Sequence, residues 1–223
     1  MGGGDEEVIL GQITGFDGAY AAEQLRRSRH PVRRLIRGLF LRNQLRYLSG
    51  PTIDFGCGAG QLLARLPPHS VGVEANPDLV ARVAAQGHSV HLSRGDYSDF
   101  DLLGMPAGRF RSLVIAHVLE HLDDPARALW ALLRGCRRLG VTRVLMVVPG
   151  ARCMPADATH RTLIDRAWLA AHPVPPELGF AVTGVSFFPG PGWLGSWFAF
   201  HEMLVVFDCA PARGGELTGK PPR

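Results

Sequence analysis

The chain has little of what would place it in a membrane or outside a cell. Its longest apolar runs, such as Val144 to Val148, fall far short of the roughly 20 residues that cross a bilayer as a helix. Its first residues, Met1-Gly-Gly-Gly-Asp-Glu-Glu7, are polar and acidic, the wrong chemistry for a secretory leader. Cysteine is scarce. Cys57, Cys136, Cys153 and Cys209 are widely spaced and form no C-x-x-C pair, so free thiols in a reducing cytoplasm are expected rather than a disulfide framework. Lysine is almost missing: Lys220 is the one example, and every other positive charge is Arg. That bias carries no functional argument. No internal repeat is visible.

What is present fits one globular domain with a small extension: 223 residues, 46% of them hydrophobic. The net charge of +4 is unevenly spread. Residues 1–19 hold four acids and no Lys or Arg, whereas residues 20–50 hold eight Arg and one Glu. Residues 1–15 lack periodicity and are expected as a disordered arm. Residues 16–49 are expected as an N-terminal helical segment, with helix over 18–48 interrupted at Pro31. After Pro31, Val32, Leu35, Ile36, Leu39 and Phe40 recur at helical spacing. Arg26, Arg29, Arg33 and Arg37 lie three or four apart and can share a face, most often a solvated one. The main domain is expected over 50–209, and the Pro/Gly-rich residues 210–223 as a disordered tail.

From Pro51 the pattern is strand, turn, helix. Strands are expected at Thr52–Phe55, Val71–Glu74, Val90–Leu92, Leu113–Ala116 and Val144–Val148, with helices at Gln61–Leu66, Asp78–Gln86 and Pro125–Arg138. Such alternation implies a parallel, doubly wound α/β sheet. Its ligand crevice lies beyond the strand C-termini. Residues 150–161 are expected as loop and Leu163–Ala171 as helix. Phe180–Phe187 and Met203–Cys209 are two final strands, which makes a seven-stranded sheet.

The most informative segment is Thr52-Ile-Asp-Phe-Gly-Cys-Gly-Ala-Gly-Gln-Leu-Leu63. An apolar strand runs into Gly56, Gly58 and Gly60, which allow a sharp turn and close approach of a ligand to the backbone. The following strand ends in Glu74, where an acid can meet a ribose diol. The dinucleotide fingerprint G-x-G-x-x-G fails, because its sixth position is Gln61.

Asp54-Phe-Gly-Cys-Gly-Ala-Gly60 resembles the first motif of class I S-adenosylmethionine-dependent methyltransferases. Val73-Glu-Ala-Asn-Pro-Asp-Leu79 resembles their second, Arg94-Gly-Asp-Tyr97 the third, and Leu113-Val-Ile-Ala-His-Val-Leu-Glu-His-Leu-Asp-Asp-Pro125 the fourth. These stand in the family's order and span about residues 50–150. The resemblance implies a Rossmann-like, mostly parallel sheet closed by an antiparallel final strand pair under an N-terminal helical cap. It implies S-adenosylmethionine as the methyl donor. It also implies donor contacts at Asp54, Gly56, Cys57, Gly58, Gly60, Glu74, Ala75, Asp96, Tyr97 and His117, with Tyr20 folding over the donor. Glu74 takes both ribose hydroxyls, Asp96 faces the adenine amino group and the His117 carbonyl lies at the methionine end. Bland alternatives stand beside these: Asp96 as a cap or turn acid, Tyr97 as packing, and Tyr20 as helix packing.

A hydroxyl acceptor needs its proton removed, and a histidine titrates near neutrality. His117 and His160 rank first as candidate catalytic bases, ahead of His121 and His201. The acceptor is expected to be a small molecule or glycan-type metabolite, methylated on oxygen. No nucleic acid or metal ion is expected. Three rivals remain. A metal-assisted RNA 2′-O-methyltransferase would use Glu120, His121 and further ligands around Mg²⁺. A methyltransferase-like subunit would keep the fold without catalysis. The H-x-x-E-H pattern of His117 to His121 matches a zinc hydrolase, but that chemistry needs both histidines on one helix.

Overall fold

A computed structural model describes residues 31–198 and 200–209. Tyr20, Arg26 and Arg29, the expected arm and the expected tail lie outside the described residues. Helix α1 (Pro31–Leu45) is the described part of the N-terminal helical segment. Three further helices follow: α2 (Pro77–Ala85), α3 (Pro125–Leu139) and α4 (Arg166–Ala171).

The strands are β1 (Thr52–Phe55), β2 (Val71–Glu74), β3 (Val90–Leu92), β4 (Ser112–Ala116), β5 (Arg143–Pro149), β6 (Phe180–Phe188) and β7 (Glu202–Cys209). They form one sheet in the order β3-β2-β1-β4-β5-β7-β6. β1 to β5 pair in parallel. β7 inserts antiparallel between β5 and β6. The expected fold class is therefore the observed one.

β5 shows why this sheet is buried on both faces. Its run is continuously apolar rather than alternating, as a strand covered on two sides requires. Val144, Met146 and Val148 pack into the core beneath α3, while Leu145 and Val147 pack on the opposite face with Leu41 and Leu45 of α1. α1 is thus a structural lid on the second face. Arg143 and Asp208 face each other across β5 and β7, joined by two hydrogen bonds of 2.7 and 3.0 Å.

Local chemistry sets the helix ends. Asn76 accepts from the backbone N–H groups of Asp78 (2.9 Å) and Leu79 (3.1 Å), which starts α2. Asp124 caps α3 by accepting from Arg127 N–H, and Gly140, at φ +76°, ends it. Two expected helices contract. The helix expected at Gln61–Leu66 is a single 3₁₀ turn, Leu63–Arg65. Pro67 follows directly and drives Leu66 into an extended conformation. The helix expected from Leu163 begins at Arg166, because Asp165 caps it by accepting from Trp168 N–H. Residues Ala151–Ala156, expected as loop, form a 3₁₀ stretch.

Candidate active site

The strand order reverses between β1 and β4, and a cavity of about 260 Å³ opens at that switch point. Of the residues expected there, Asp54, Gly56, Cys57, Gly58, Glu74, Ala75, Asp96 and His117 line it. Gly60, Tyr97 and His160 are not among its lining residues.

The turn after β1 needs its glycines for different reasons. Gly56, Gly58 and Gly60 have φ of +77°, +54° and +75°, a left-handed region costly for any side chain. A Cβ on Gly56 would sit 2.3 Å from Val118 Cγ2, and one on Gly60 would press on Val83. A Cβ on Gly58 would meet nothing within 4 Å, since that position faces open space. The turn is tied to β2 because the Gly56 and Cys57 N–H groups both donate to the Val73 carbonyl, at 2.8 and 3.0 Å. The Cys57 thiol is buried against Gly72. Desolvation pushes it well above its ordinary range, away from reactivity.

Two carboxylates sit at the back of this turn. Glu74 Oε2 accepts from Gly58 N–H at 2.7 Å, and Oε1 accepts from the N–H groups of Ala75 (3.0 Å) and Asn76 (2.9 Å). A carboxylate has about four acceptor sites, so Oε2 retains one. The two-hydroxyl contact expected from the sequence needs Gly58 N–H to release it. Asp54 is buried, and its Oδ2 has no hydrogen-bond partner. Desolvation and the neighbouring Glu74 charge push its carboxyl up to about 7, against the Leu63 N–H that favours the charged form. An orphaned acid oxygen on the wall of a cavity is suited to an ammonium group.

Asp96 and Tyr97 divide. Asp96 caps the turn Tyr97–Asp101 through Ser98 N–H, and Asp99 answers as the second half of a capping box. It still reaches the cavity wall. Tyr97 points away: its hydroxyl accepts from Asp124 N–H at 3.1 Å, and Arg127 lies over its ring. Its packing role is the one this geometry supports.

The two expected bases come out differently from their sequence reading. His117 adopts φ +58° immediately after β4. That turn sends its imidazole between two acids. Nε2 lies 2.8 Å from Glu202 Oε1, and Nδ1 lies 3.3 Å from Glu120 Oε1. Burial opposes its charge, but the Glu120 and Glu202 carboxylates outweigh that and push it up to about 10. This favours the protonated imidazole near neutrality, which suits His117 to pairing with the two acids more than to accepting a proton. His160 sits beyond the cavity, its ring centroid 4.9 Å from that of His121 and its Nδ1 buried without a partner. His121 lines the cavity instead. His201 is buried, donating through Nε2 to the Pro191 carbonyl and stacking on Phe187, so its work is structural. The H-x-x-E-H pattern does not form a helical zinc site, because His117 closes a strand and Leu119–His121 is one 3₁₀ turn.

Sequence reasoning missed Glu202 and Gln44. Both are buried, both line the cavity, and Gln44 Nε2 donates to Glu202 Oε2 at 3.3 Å. The available signal was an acid at the head of an apolar strand run and a lone amide on the buried face of a helix.

Residues 53–144 match a family described as a methyltransferase domain. Over 92 residues the chain is 34% identical to a ubiquinone biosynthesis O-methyltransferase of Xanthomonas oryzae pv. oryzae, covering 39% of this chain and 37% of that protein. The chain thus aligns with well under half the length of the curated relatives it matches. A solved S-adenosylmethionine-dependent methyltransferase from Archaeoglobus fulgidus superposes with a TM-score of 0.64 at 18% identity, over 86% of this chain and all (100%) of that one. Magnesium protoporphyrin IX methyltransferase from Synechocystis PCC 6803 with bound S-adenosylhomocysteine gives a TM-score of 0.58 at 11% identity, over 87% and 96% of the two chains. The matched segment thus resembles a methyltransferase domain, and the fold is the one seen in solved S-adenosylmethionine-dependent methyltransferases. Among the described residues no helix is long and apolar enough to cross a membrane.

Proposed function

We propose that this chain transfers a methyl group from S-adenosylmethionine to a small-molecule acceptor, on oxygen, in a cytoplasmic setting. The observation that carries the reading is one cavity that gathers the Gly56–Gly58 turn, Glu74 and the unpartnered Asp54 oxygen. The relatives matched over this segment are O-methyltransferases, which supports oxygen as the acceptor atom. Cys57 and Cys136 are buried outside any disulfide, which supports a reducing compartment.

The donor, once bound, supplies an activated methyl group on a good thioether leaving group. The rest falls to the chain. Asp54 receives the donor's ammonium. Gly58 lets the donor lie against bare backbone. Glu74 offers its remaining acceptor site to a ribose hydroxyl, and Asp96 lies on the wall expected to meet adenine. Gln44, His121 and Glu202 form the other wall, and we assign that wall to the acceptor. Holding acceptor and methyl in line accounts for much of the acceleration in such a displacement. His117, as an imidazolium, positions Glu202 rather than taking a proton.

Calorimetric titration with S-adenosylhomocysteine tests the donor site. Micromolar binding is expected, weakened roughly 10- to 100-fold in Glu74→Ala, which strips a charged acceptor from three backbone N–H groups. Absence of binding to the unmodified chain would overturn the reading.

A further inference from the structure

Glu120, His121 and His160 come together beside the cavity, each offering one ligand atom, with these atoms all within 4.8 Å of one another. We infer that they form a binding site for a divalent first-row transition-metal ion, with Zn²⁺ the best fit. The argument starts from Glu120. Its side chain is completely buried, and neither carboxylate oxygen has a hydrogen-bond partner. It forms an ion pair with His117 Nδ1 at 3.3 Å, which offsets part of its charge. A buried carboxylate without hydrogen bonds is expensive, and a cation relieves that cost. The His160 Nδ1 is likewise buried and unpartnered.

The backbone already holds the ligands in place. The Glu120 carbonyl accepts from the N–H groups of Arg161 (2.8 Å) and Thr162 (3.1 Å), and Thr162 Oγ1 donates to the Leu122 carbonyl. Arg161 clamps Asp123 through both carboxylate oxygens, at 2.6 and 2.7 Å. These bonds strap the loop carrying His160 onto the turn carrying Glu120, across about 40 residues of sequence. A further chain fixes His121. Asp157 Oδ1 accepts from Thr159 Oγ1 at 2.6 Å, and that hydroxyl lies 2.9 Å from His121 Nδ1. An outer carboxylate that orients an imidazole is the usual support of a histidine ligand.

Two imidazoles and one carboxylate favour zinc-like ions over Mg²⁺, which prefers oxygen. Three protein ligands with an open position also match the catalytic rather than the structural pattern of zinc sites. Ligand atoms about 2.1 Å from a tetrahedral ion lie about 3.4 Å apart, so the ligand atoms close by roughly an ångström on binding. The pair involved is His121 and His160, not the His117 and His121 of the sequence pattern.

His121 lines the cavity, so the ion faces the wall assigned to the acceptor. There it would polarise an acceptor hydroxyl. The proton leaves to water, the acceptor oxygen takes the methyl group, and the donor sulfur keeps the electron pair of the broken C–S bond. This role rests on the methyl-transfer reading; metal binding itself does not.

The test titrates Zn²⁺ into the full chain and into His160→Ala and Glu120→Gln, by calorimetry and by metal analysis after dialysis. One equivalent of Zn²⁺ is expected, with affinity lowered at least tenfold in His160→Ala, and Mg²⁺ is expected to give no comparable binding. Co²⁺ is expected to give a visible d–d absorption without a thiolate charge-transfer band. S-adenosylhomocysteine binding by His160→Ala serves as the control for folding and keeps the two readings separable. If Glu120→Gln does not fold, His160→Ala decides alone. Failure of the unmodified chain to bind Zn²⁺, or binding that survives His160→Ala, overturns the assignment.

Discussion

The two walls of the cavity are built in opposite ways. The wall proposed for the donor is local: Asp54, Gly56 and Gly58 sit within five residues, and Glu74 meets them from the adjacent strand at 2.7 Å. The wall proposed for the acceptor is assembled from afar. Gln44 comes from α1, His117 and His121 follow β4, and Glu202 begins β7, so the Gln44–Glu202 bond spans 158 residues. Short segments with demanding backbone geometry constrain their own residue types tightly. Long-range clusters need only compatible charges and can be composed from many sequences. The donor wall can therefore be recognised from pattern, while the acceptor wall has to be seen folded.

The sharpest way to break this contrast is at the turn. Gly56→Ala is expected to abolish S-adenosylhomocysteine binding, since the new methyl would overlap Val118 Cγ2 at 2.3 Å on a left-handed backbone. Gly58→Ala bears only the backbone cost, about 1–2 kcal/mol, because its Cβ meets nothing within 4 Å. Thermal melts and calorimetry of the two variants side by side check this. Equal effects would show that the turn responds as a unit rather than residue by residue.

On the acceptor wall, His117→Ala leaves Glu120 and Glu202 facing a space that held their shared cation. A loss on the order of 1–3 kcal/mol is expected, read from denaturant midpoints. Adding Glu202→Gln is expected to restore part of it, since one of the two uncompensated acids is removed. S-adenosylhomocysteine affinity should change less than in Glu74→Ala if the walls are separable.

A smaller effect is carried by pH at Asp54. Its folded carboxyl is pushed up to about 7, from an ordinary value near 4. Between those values the folded chain holds a proton that the unfolded chain has lost. The associated stability is fully present below about pH 4 and lost as pH rises through about 7. Asp54→Asn is therefore expected to melt higher than the unmodified chain at pH 8, with the two converging at acid pH. Donor affinity should run the other way, rising with pH through about 7 in the unmodified chain and staying flat and weak in Asp54→Asn. Melting curves and calorimetry across pH 5 to 9 would show whether the acid is kept for binding at the expense of stability.

Much of the fold was legible before any coordinates. β1, β2 and β3 have the ends expected from sequence because each is a short apolar run stopped by Gly, Asn or Ser chemistry. Gln61–Leu66 forms only one 3₁₀ turn because Pro67 holds Leu66 in an extended conformation. Leu163 misled because a capping acid, Asp165, lay inside the periodic run.

The sequence by itself determined the architecture and the glycine turn after β1. Strand period, caps and glycines act over a few residues, and backbone sterics leave them few alternatives. Tertiary structure alone decided the charge state of His117, the distance of His160 from the cavity and the entry of Glu202 into the site. A histidine's protonation depends on which carboxylates fold against it, and nothing along the chain places Glu202 beside His117 until β7 inserts next to β5.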